Sequence, residues 1–174
     1  MKDIFINGVL SEDMSLYIHR PSVTDQTCAP ENCDTFYVLS CVPHLGHSNP
    51  VIWEKEKEKY LKKVAQFLDN RLLPGFQKTI VESHVMTPND FGKNYLSPMG
   101  TGFSIEPRMF QSAWFRPHNI SEEIEGLYLV GAGTHPGPGV PGVIASAEII
   151  AKEIKDAKQY QKENNNFYEK IDAR

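Results

Sequence analysis

Cysteine is scarce, with only Cys28, Cys33 and Cys41 among 174 residues. An odd number at irregular spacing fits neither a disulfide framework nor a zinc site, so a cytosolic, reducing compartment is expected. A surplus of one charge is missing too: 18 Lys and Arg stand against 22 Asp and Glu, a net charge of −4 without basic blocks. That argues against nucleic acid as a partner, because its phosphates call for positive charge. Met1 to Gly8 holds no long apolar core or small-residue cleavage site, so no secretory signal is expected. No internal repeat is visible. One stretch of 22 residues, Gly126 to Ala147, has no charged residue at all. It contains Gly126, Gly131, Gly133, Pro136, Gly137, Pro138, Gly139, Pro141 and Gly142. Proline removes backbone donors and glycine loosens the chain, so no continuous helix and no membrane span can form there.

What is present supports a packed protein: hydrophobic residues make up 40% and aromatics 10% of the chain, enough to exclude disorder over most of the length. Ser15 to Arg20 has strand character and stops at Pro21. Asp34 to Val42 reads as a buried strand ended by Pro43, with a polar loop between the two. Asn49-Pro50 should open a long helix running to residue 73, in which Tyr60, Leu61, Val64, Phe67, Leu68 and Leu72 form one apolar stripe before Pro74-Gly75 stops it. Thr79 to Met86 alternates weakly and reads as a strand, and Thr87-Pro88-Asn89-Asp90 should cap a short helix. Residues 97–118 mix Gly, Pro and aromatics without either period, as in a loop that packs over a core or a ligand. Leu127 to Val130 is wholly apolar, as expected of a central parallel strand covered on both faces. A helix opens at Pro141 and carries apolar residues as far as Ala157, and residues 161–174 form a polar tail expected to fray.

The most informative segment is therefore a strand, a Gly- and Pro-dense turn and a helix. That order aims backbone N–H groups and the positive end of a helix at the mouth of the turn, where a phosphate or another electron-rich group can sit. The alternative is a tight connection with no ligand. The segment is an incomplete dinucleotide fingerprint: Gly131-Ala132-Gly133 supplies two glycines of G-x-G-x-x-G, but Pro136 holds the third position and Gly137 arrives one residue late. No second strand follows to present a ribose-binding acid, since Glu153 and Asp156 still lie on the helix. An independent nicotinamide-dependent dehydrogenase is thereby disfavoured.

Gly126-Leu127-Tyr128-Leu129-Val130-Gly131-Ala132-Gly133-Thr134-His135-Pro136-Gly137, continuing to Val143, resembles the C-terminal flavin motif of bacterial-type phytoene desaturases. Gly102 to Pro107, Gln111 to His118, Ser15 to Ser22 and Val42 to Gly46 resemble the same family in the same order, so the likeness covers residues 1 to about 157. It implies an α/β (α+β) fold: residues 1–96 as part of a sheet-and-helix substrate domain, and residues 97–160 as the C-terminal segment of a Rossmann-like FAD-binding domain. Nothing resembles the N-terminal G-x-G-x-x-G unit of complete members, so the chain is expected to be a fragment or subunit, inactive without that part, which another chain could supply.

The activity implied is FAD-dependent desaturation of a long isoprenoid, phytoene to more conjugated carotenes such as lycopene, by a cytoplasmic enzyme peripheral to the membrane. The cofactor would carry the redox chemistry and the protein its placement and electrostatics. The resemblance puts Gly131, Gly133, Thr134 and His135 along the ribityl chain and pyrophosphate of FAD. It puts Gly139, Val140, Pro141, Gly142 and Val143 near the ring edge.

His135 could accept the substrate proton, or only hydrogen-bond within the loop or to the cofactor. Glu106 could accept the proton or stabilise a cation, or form a structural ion pair with Arg108 or Arg116. Phe103, Met109, Phe110, Trp114 and Phe115 could line a tunnel for an apolar chain, or belong to the core. His44 and His47 are too sparse for a metal site, and Glu54 to Lys59 reads as a solvated helix face. Two further functions stay open. One is a non-catalytic module binding an isoprenoid or a partner chain; the other is a relative acting as another flavin amine or carotenoid oxidase.

Overall fold

The computed structural model describes residues 2–106 and 108–154, so the expected frayed tail lies outside the described residues. The chain divides into two compact units, Met1–Gly102 and Phe103–Arg174. Helices and a small sheet together make it a mixed α and β protein.

In the first unit, β1 (Leu16–His19) and β2 (Tyr37–Ser40) pair antiparallel, Leu16 opposite Ser40 and His19 opposite Tyr37. Tyr17 and Tyr37 meet edge to face across the pair at 6.4 Å. A two-stranded ribbon is marginal by itself, and two side-chain links hold it. Arg20 grips Asp34 as a fork, Nε to Oδ1 at 2.9 Å and Nη2 to Oδ2 at 2.7 Å, closing the loop between the strands. Ser40 Oγ and Tyr60 Oη lie 2.7 Å apart, tying β2 to the long helix. The Ser22 hydroxyl, donating at 2.8 Å, and the Arg20 fork hold the Asp34 carboxyl below the usual carboxylate range.

That helix, α1 (Trp53–Arg71), buries Trp53, Ala65 and Leu68 on one face. Of the expected stripe Leu68 is buried and Tyr60, Leu61, Val64 and Phe67 are half-buried, while Leu72, past the helix end, is exposed; the start is not at Asn49-Pro50. The first turn closes on the Ile52 carbonyl, from the amides of Lys55 and Glu56, because burying Trp53 fixes where the apolar face begins. Gly75, at φ +88, supplies the left-handed turn that follows.

The expected strand over residues 79–86 does not form. A short helix, α2 (Phe76–Thr79), takes its first residue, and residues 80–87 are irregular. Val81 is 90% exposed: the polar Glu82, Ser83 and His84 leave too little apolar surface on one face to dock a strand.

The cap expected before the next helix, α3 (Pro88–Tyr95), is present. The Thr87 amide and hydroxyl both donate to Asp90 Oδ2 at 2.7 Å, and Asn89 Nδ2 donates to Glu54 Oε1 of α1 at 2.8 Å. After α3 the chain folds back so tightly that a Cβ on Gly100 would run into the Pro88 carbonyl.

The second unit contains α4 (Val140–Glu153), with Ser146 and Ile150 buried. Here the sequence-based expectation of a central parallel strand fails. Leu127–Val130 pairs only through an antiparallel bridge, Tyr128 to Ile120. Leu127 and Tyr128 are each 38% exposed and Val130 is 57% exposed. Beyond that bridge the run joins no sheet among the described residues, and only Leu129 is half-buried.

The α3 cap yields a test. Donation by the Thr87 amide, then by its hydroxyl, holds the Asp90 carboxyl below its usual range. Asp90→Ala should lower stability by about 1 kcal/mol in urea denaturation at neutral pH. A carboxyl depressed by folding stabilises when ionised, so the deficit should be whole above about pH 5 and shrink as pH falls through the folded value. A deficit independent of pH would show that the charge is not responsible.

Candidate functional site

The Gly- and Pro-dense bend occupies residues 131–139, between the Leu127–Val130 run and α4, and its two halves differ in how their backbone groups are used. The first half is bonded into its own unit. The Gly131 amide donates to Ser146 Oγ of α4 at 2.9 Å, and that hydroxyl donates in turn to the Val143 carbonyl at 2.7 Å. The Thr134 amide returns to the Gly131 carbonyl, and the His135 amide donates to the Pro117 carbonyl at 3.0 Å.

Asn119 joins these strands of chain. Its buried Nδ2 lies 2.9 Å from the His135 carbonyl, 3.1 Å from the Leu129 carbonyl and 3.2 Å from Thr134 Oγ1. Thr134 is buried as well, its hydroxyl turned to the Gly131 carbonyl at 3.1 Å.

The second half is open. Gly139 precedes α4 at φ +97, and no side chain caps the helix. The amides of the first turn, up to Gly142, are therefore left to solvent or to a ligand. A Cβ at Gly131 or Gly139 would meet nothing within 4 Å, so both glycines face clear space. Gly142 is the opposite: its Cβ would stand 2.5 Å from the Gly137 carbonyl oxygen. The helix start thus packs directly on the bend, and only a residue without a side chain fits.

Arg116 lies behind Gly137. It is 2% exposed, donates from Nη2 to the Ala132 carbonyl at 2.7 Å and from Nη1 to the Gln111 carbonyl at 3.2 Å, and its buried Nε has no partner.

The remaining sequence-derived residues fall around this frame. Glu106 pairs with Arg108, Oε2 to Nε at 2.5 Å, which is one of the two ion pairs anticipated for it. His135 Nδ1 lies 3.0 Å from the Ala113 carbonyl. A carbonyl can only accept, so Nδ1 is the donor, and in the neutral ring Nε2 is then the acceptor.

Trp114 stands edge-on to His135 at 6.3 Å, and Phe110 and Phe115 pair at 5.6 Å. Phe103, Met109, Phe110, Trp114 and Phe115 are all exposed. Surface hollows lined by Val9, Val51 and Ile52, and by Trp53, Thr87 and Asp90, belong to the first unit and do not touch the bend. His44 and His47 stack at 4.4 Å. Among the described residues no group of three or more His, Cys, Asp or Glu comes together as a metal site.

Sequence reasoning gave no role to Asn119 or Ser146 and saw Arg116 only as a possible ion-pair partner of Glu106. A signal existed for Ser146, the one hydroxyl in the otherwise apolar start of α4. Asn119 and Arg116 carried none, because their work lies in contacts 10 to 16 residues distant.

No family model matches the chain. It is 63% identical over 157 residues to a neurosporene-forming phytoene desaturase of Rhodobacter capsulatus, covering 90% of this chain and 30% of that protein. The chain belongs to the phytoene desaturase family. A second neurosporene-forming member, from Cereibacter sphaeroides, is 58% identical over 163 residues, 94% of this chain and 31% of the relative. A 4,4'-diapophytoene desaturase of Staphylococcus aureus is 37% identical over 166 residues, 91% of this chain and 32% of the relative. The chain therefore spans about 30% of the length of the curated relatives that it matches. Among the described residues no helix is long and apolar enough to cross a membrane.

Because one amide of Asn119 serves three acceptors, Asn119→Ala should cost about 2 kcal/mol, read as a lower urea midpoint with an unchanged slope. A midpoint equal to wild type would remove Asn119 as the tie of the bend.

Proposed function

We propose that this chain takes part in FAD-dependent desaturation of a long isoprenoid in carotenoid biosynthesis, turning phytoene into more conjugated carotenes. The observation that carries the reading is the 63% identity to a phytoene desaturase over 90% of the chain. On this reading residues 1–96 form part of the substrate domain. Residues 97–160 complete a Rossmann-like FAD-binding domain, whose remaining strands would cover Leu127–Val130 and restore the sheet that this run's composition calls for.

The residues of the bend fit a flavin best in its second half. Clear space at Gly139 lets a flat ring approach backbone, and the uncapped start of α4 offers donors from Val140 and Gly142. Pro141 and Val143 fix that first turn. Gly131, Gly133, Thr134 and His135 act by shape, since the amides of Gly131, Thr134 and His135 are already used within the unit.

When bound, the flavin supplies the acceptor for a hydride removed from the isoprenoid. The proton lost from the neighbouring carbon needs a base. His135 is the better of the two candidates, because its Nε2 is free while Glu106 is neutralised by Arg108.

Phe103, Met109, Phe110, Trp114 and Phe115 present an apolar surface in the same unit as the bend, suited to an isoprenoid that resides in lipid. Contact with a membrane surface belongs to this reading, because such a substrate resides in lipid.

The test is to co-express the chain with the non-matching part of the Rhodobacter capsulatus relative in cells that make phytoene. Co-purifying flavin and coloured carotenes are expected. Soluble, associated protein that holds neither would overturn the reading and favour a non-catalytic isoprenoid- or partner-binding module. In the active assembly His135→Gln should slow conversion about 100-fold with flavin retained. Conversion at the wild-type rate would remove His135 as the base.

A further inference from the structure

Two histidines of the first unit take no part in the chemistry proposed above, and their rings are packed face to face. His44 and His47 stack at 4.4 Å with their planes 21° apart. His44 Nδ1 accepts the Gly46 amide at 3.0 Å, so that nitrogen carries no hydrogen. His47 Nε2 is enclosed and has no hydrogen-bond partner.

Three stretches of chain meet at these rings. Gly8, at φ +68, lies so close that a Cβ there would stand 2.7 Å from His47 Cγ. A Cβ on Gly46 would stand 2.5 Å from Met99 Sδ and 3.0 Å from His44 Nδ1, and the Leu45 amide donates to the Met99 carbonyl at 2.9 Å. Gly8 closes the helical turn Asp3–Asn7, since the amides of Gly8 and Val9 both donate to the Asp3 carbonyl. The stack therefore joins that turn to residues 42–48 and to the Met99 bend.

The charges around the rings are few. Residues 42–48 and 98–100 contain no other titratable side chain. Residues 2–9 bring Lys2 and Asp3, and the Asp3 carboxylate takes the Asn7 side-chain amide at 3.0 Å. Among the described residues neither imidazole pairs with a carboxylate.

We propose that the His44–His47 stack is a pH-sensitive latch, holding residues 3–9 on the first unit while both rings are neutral and releasing them when the rings take up protons. A proton on His44 Nδ1 would turn the acceptor of the Gly46 amide into a second donor facing it. A proton on His47 would put charge on a ring whose Nε2 has no partner, and two charged rings would stack with no anion between them. Each step opposes the packed arrangement, and none opposes the released, hydrated one. The latch is therefore closed above the ordinary imidazole range, about pH 6.5, and opens below it. Release stops at Glu12, whose carboxylate is bonded to Lys63 of α1 at 2.6 Å. It uncovers the buried Ile4 and widens the hollow that Gly8 and Val9 form with Val51 and Ile52.

Amide hydrogen exchange of the full chain, corrected for the intrinsic effect of pH, tests this at about pH 7.5 and about pH 5.5. Protection of the Gly8 and Val9 amides should fall at least about tenfold at the lower pH while α1 keeps its own. The paired substitution His44→Asn with His47→Phe keeps an acceptor for the Gly46 amide and a ring in the stack, but neither group takes up a proton. In that variant protection of Gly8 and Val9, whatever its level, should no longer change with pH. Protection in the wild-type chain that is equal at both pH values, a loss shared equally by α1, or a variant that responds as the wild type does overturns the proposal. Neither flavin nor isoprenoid enters the measurement, so its outcome is independent of the desaturase reading.

Discussion

The side-chain amide of Asn119 holds together the second unit's central piece. Its two hydrogens serve the carbonyls of Leu129 and His135 and the hydroxyl of Thr134, which fixes both sides of the bend relative to the chain before it. The rest depends on that placement. With Thr134 and His135 held, the Gly131 amide meets Ser146, and α4 is set against the bend closely enough that Gly142 must lack a side chain. A bend of this glycine content would otherwise lose much entropy on ordering. Here the hydrogen bonds of Asn119, Thr134 and Ser146 offset that cost.

Legibility in the sequence followed the range of the forces involved. The apolar stripe of α1, the Thr87–Asp90 cap and the opening of α4 at Pro141 depend on neighbours within a few residues, and each could be read directly. Asn49-Pro50 satisfied the local rules for a helix start and still lost to the burial of Trp53, three residues further on. The run at 79–86 alternated weakly, but Glu82, Ser83 and His84 left it too little apolar surface to dock, and Val81 stays exposed. Leu127–Val130 had the composition of a covered strand and finds only the single bridge to Ile120; cover is a property of what lies beside a strand, which its own residues do not encode.

The same distinction runs through the site. The glycine-rich turn announced itself by composition, and the resemblance to the family located it residue by residue. What composition could not say is that the two halves of the turn differ. Gly131, Thr134 and His135 look like ligand-binding residues on paper because glycine and hydroxyl side chains suit a flavin, yet the amides of all three are committed internally. Arg116 was visible only as one possible partner of Glu106; its enclosure, and Glu106's choice of Arg108, arise from folding over distances the local pattern does not cover.

A comparison between α3 and α4 shows why the open half matters. Both helices begin with a proline in the first turn, and both leave the same set of first-turn amides to be satisfied. At α3 the chain places its own carboxylate there: Asp90 takes the Thr87 amide and hydroxyl, its charge faces the positive end of the helix, and the site is closed to anything else. At α4 the cap position matching Thr87 holds Gly139 and the position matching Asp90 holds Gly142, and neither has a side chain to offer. At φ +97 the cap position suits glycine, and a capping Ser, Thr, Asp or Asn would sit there only with strain. With the cap bare, the first-turn amides of α4 stay open to an acceptor from outside the segment.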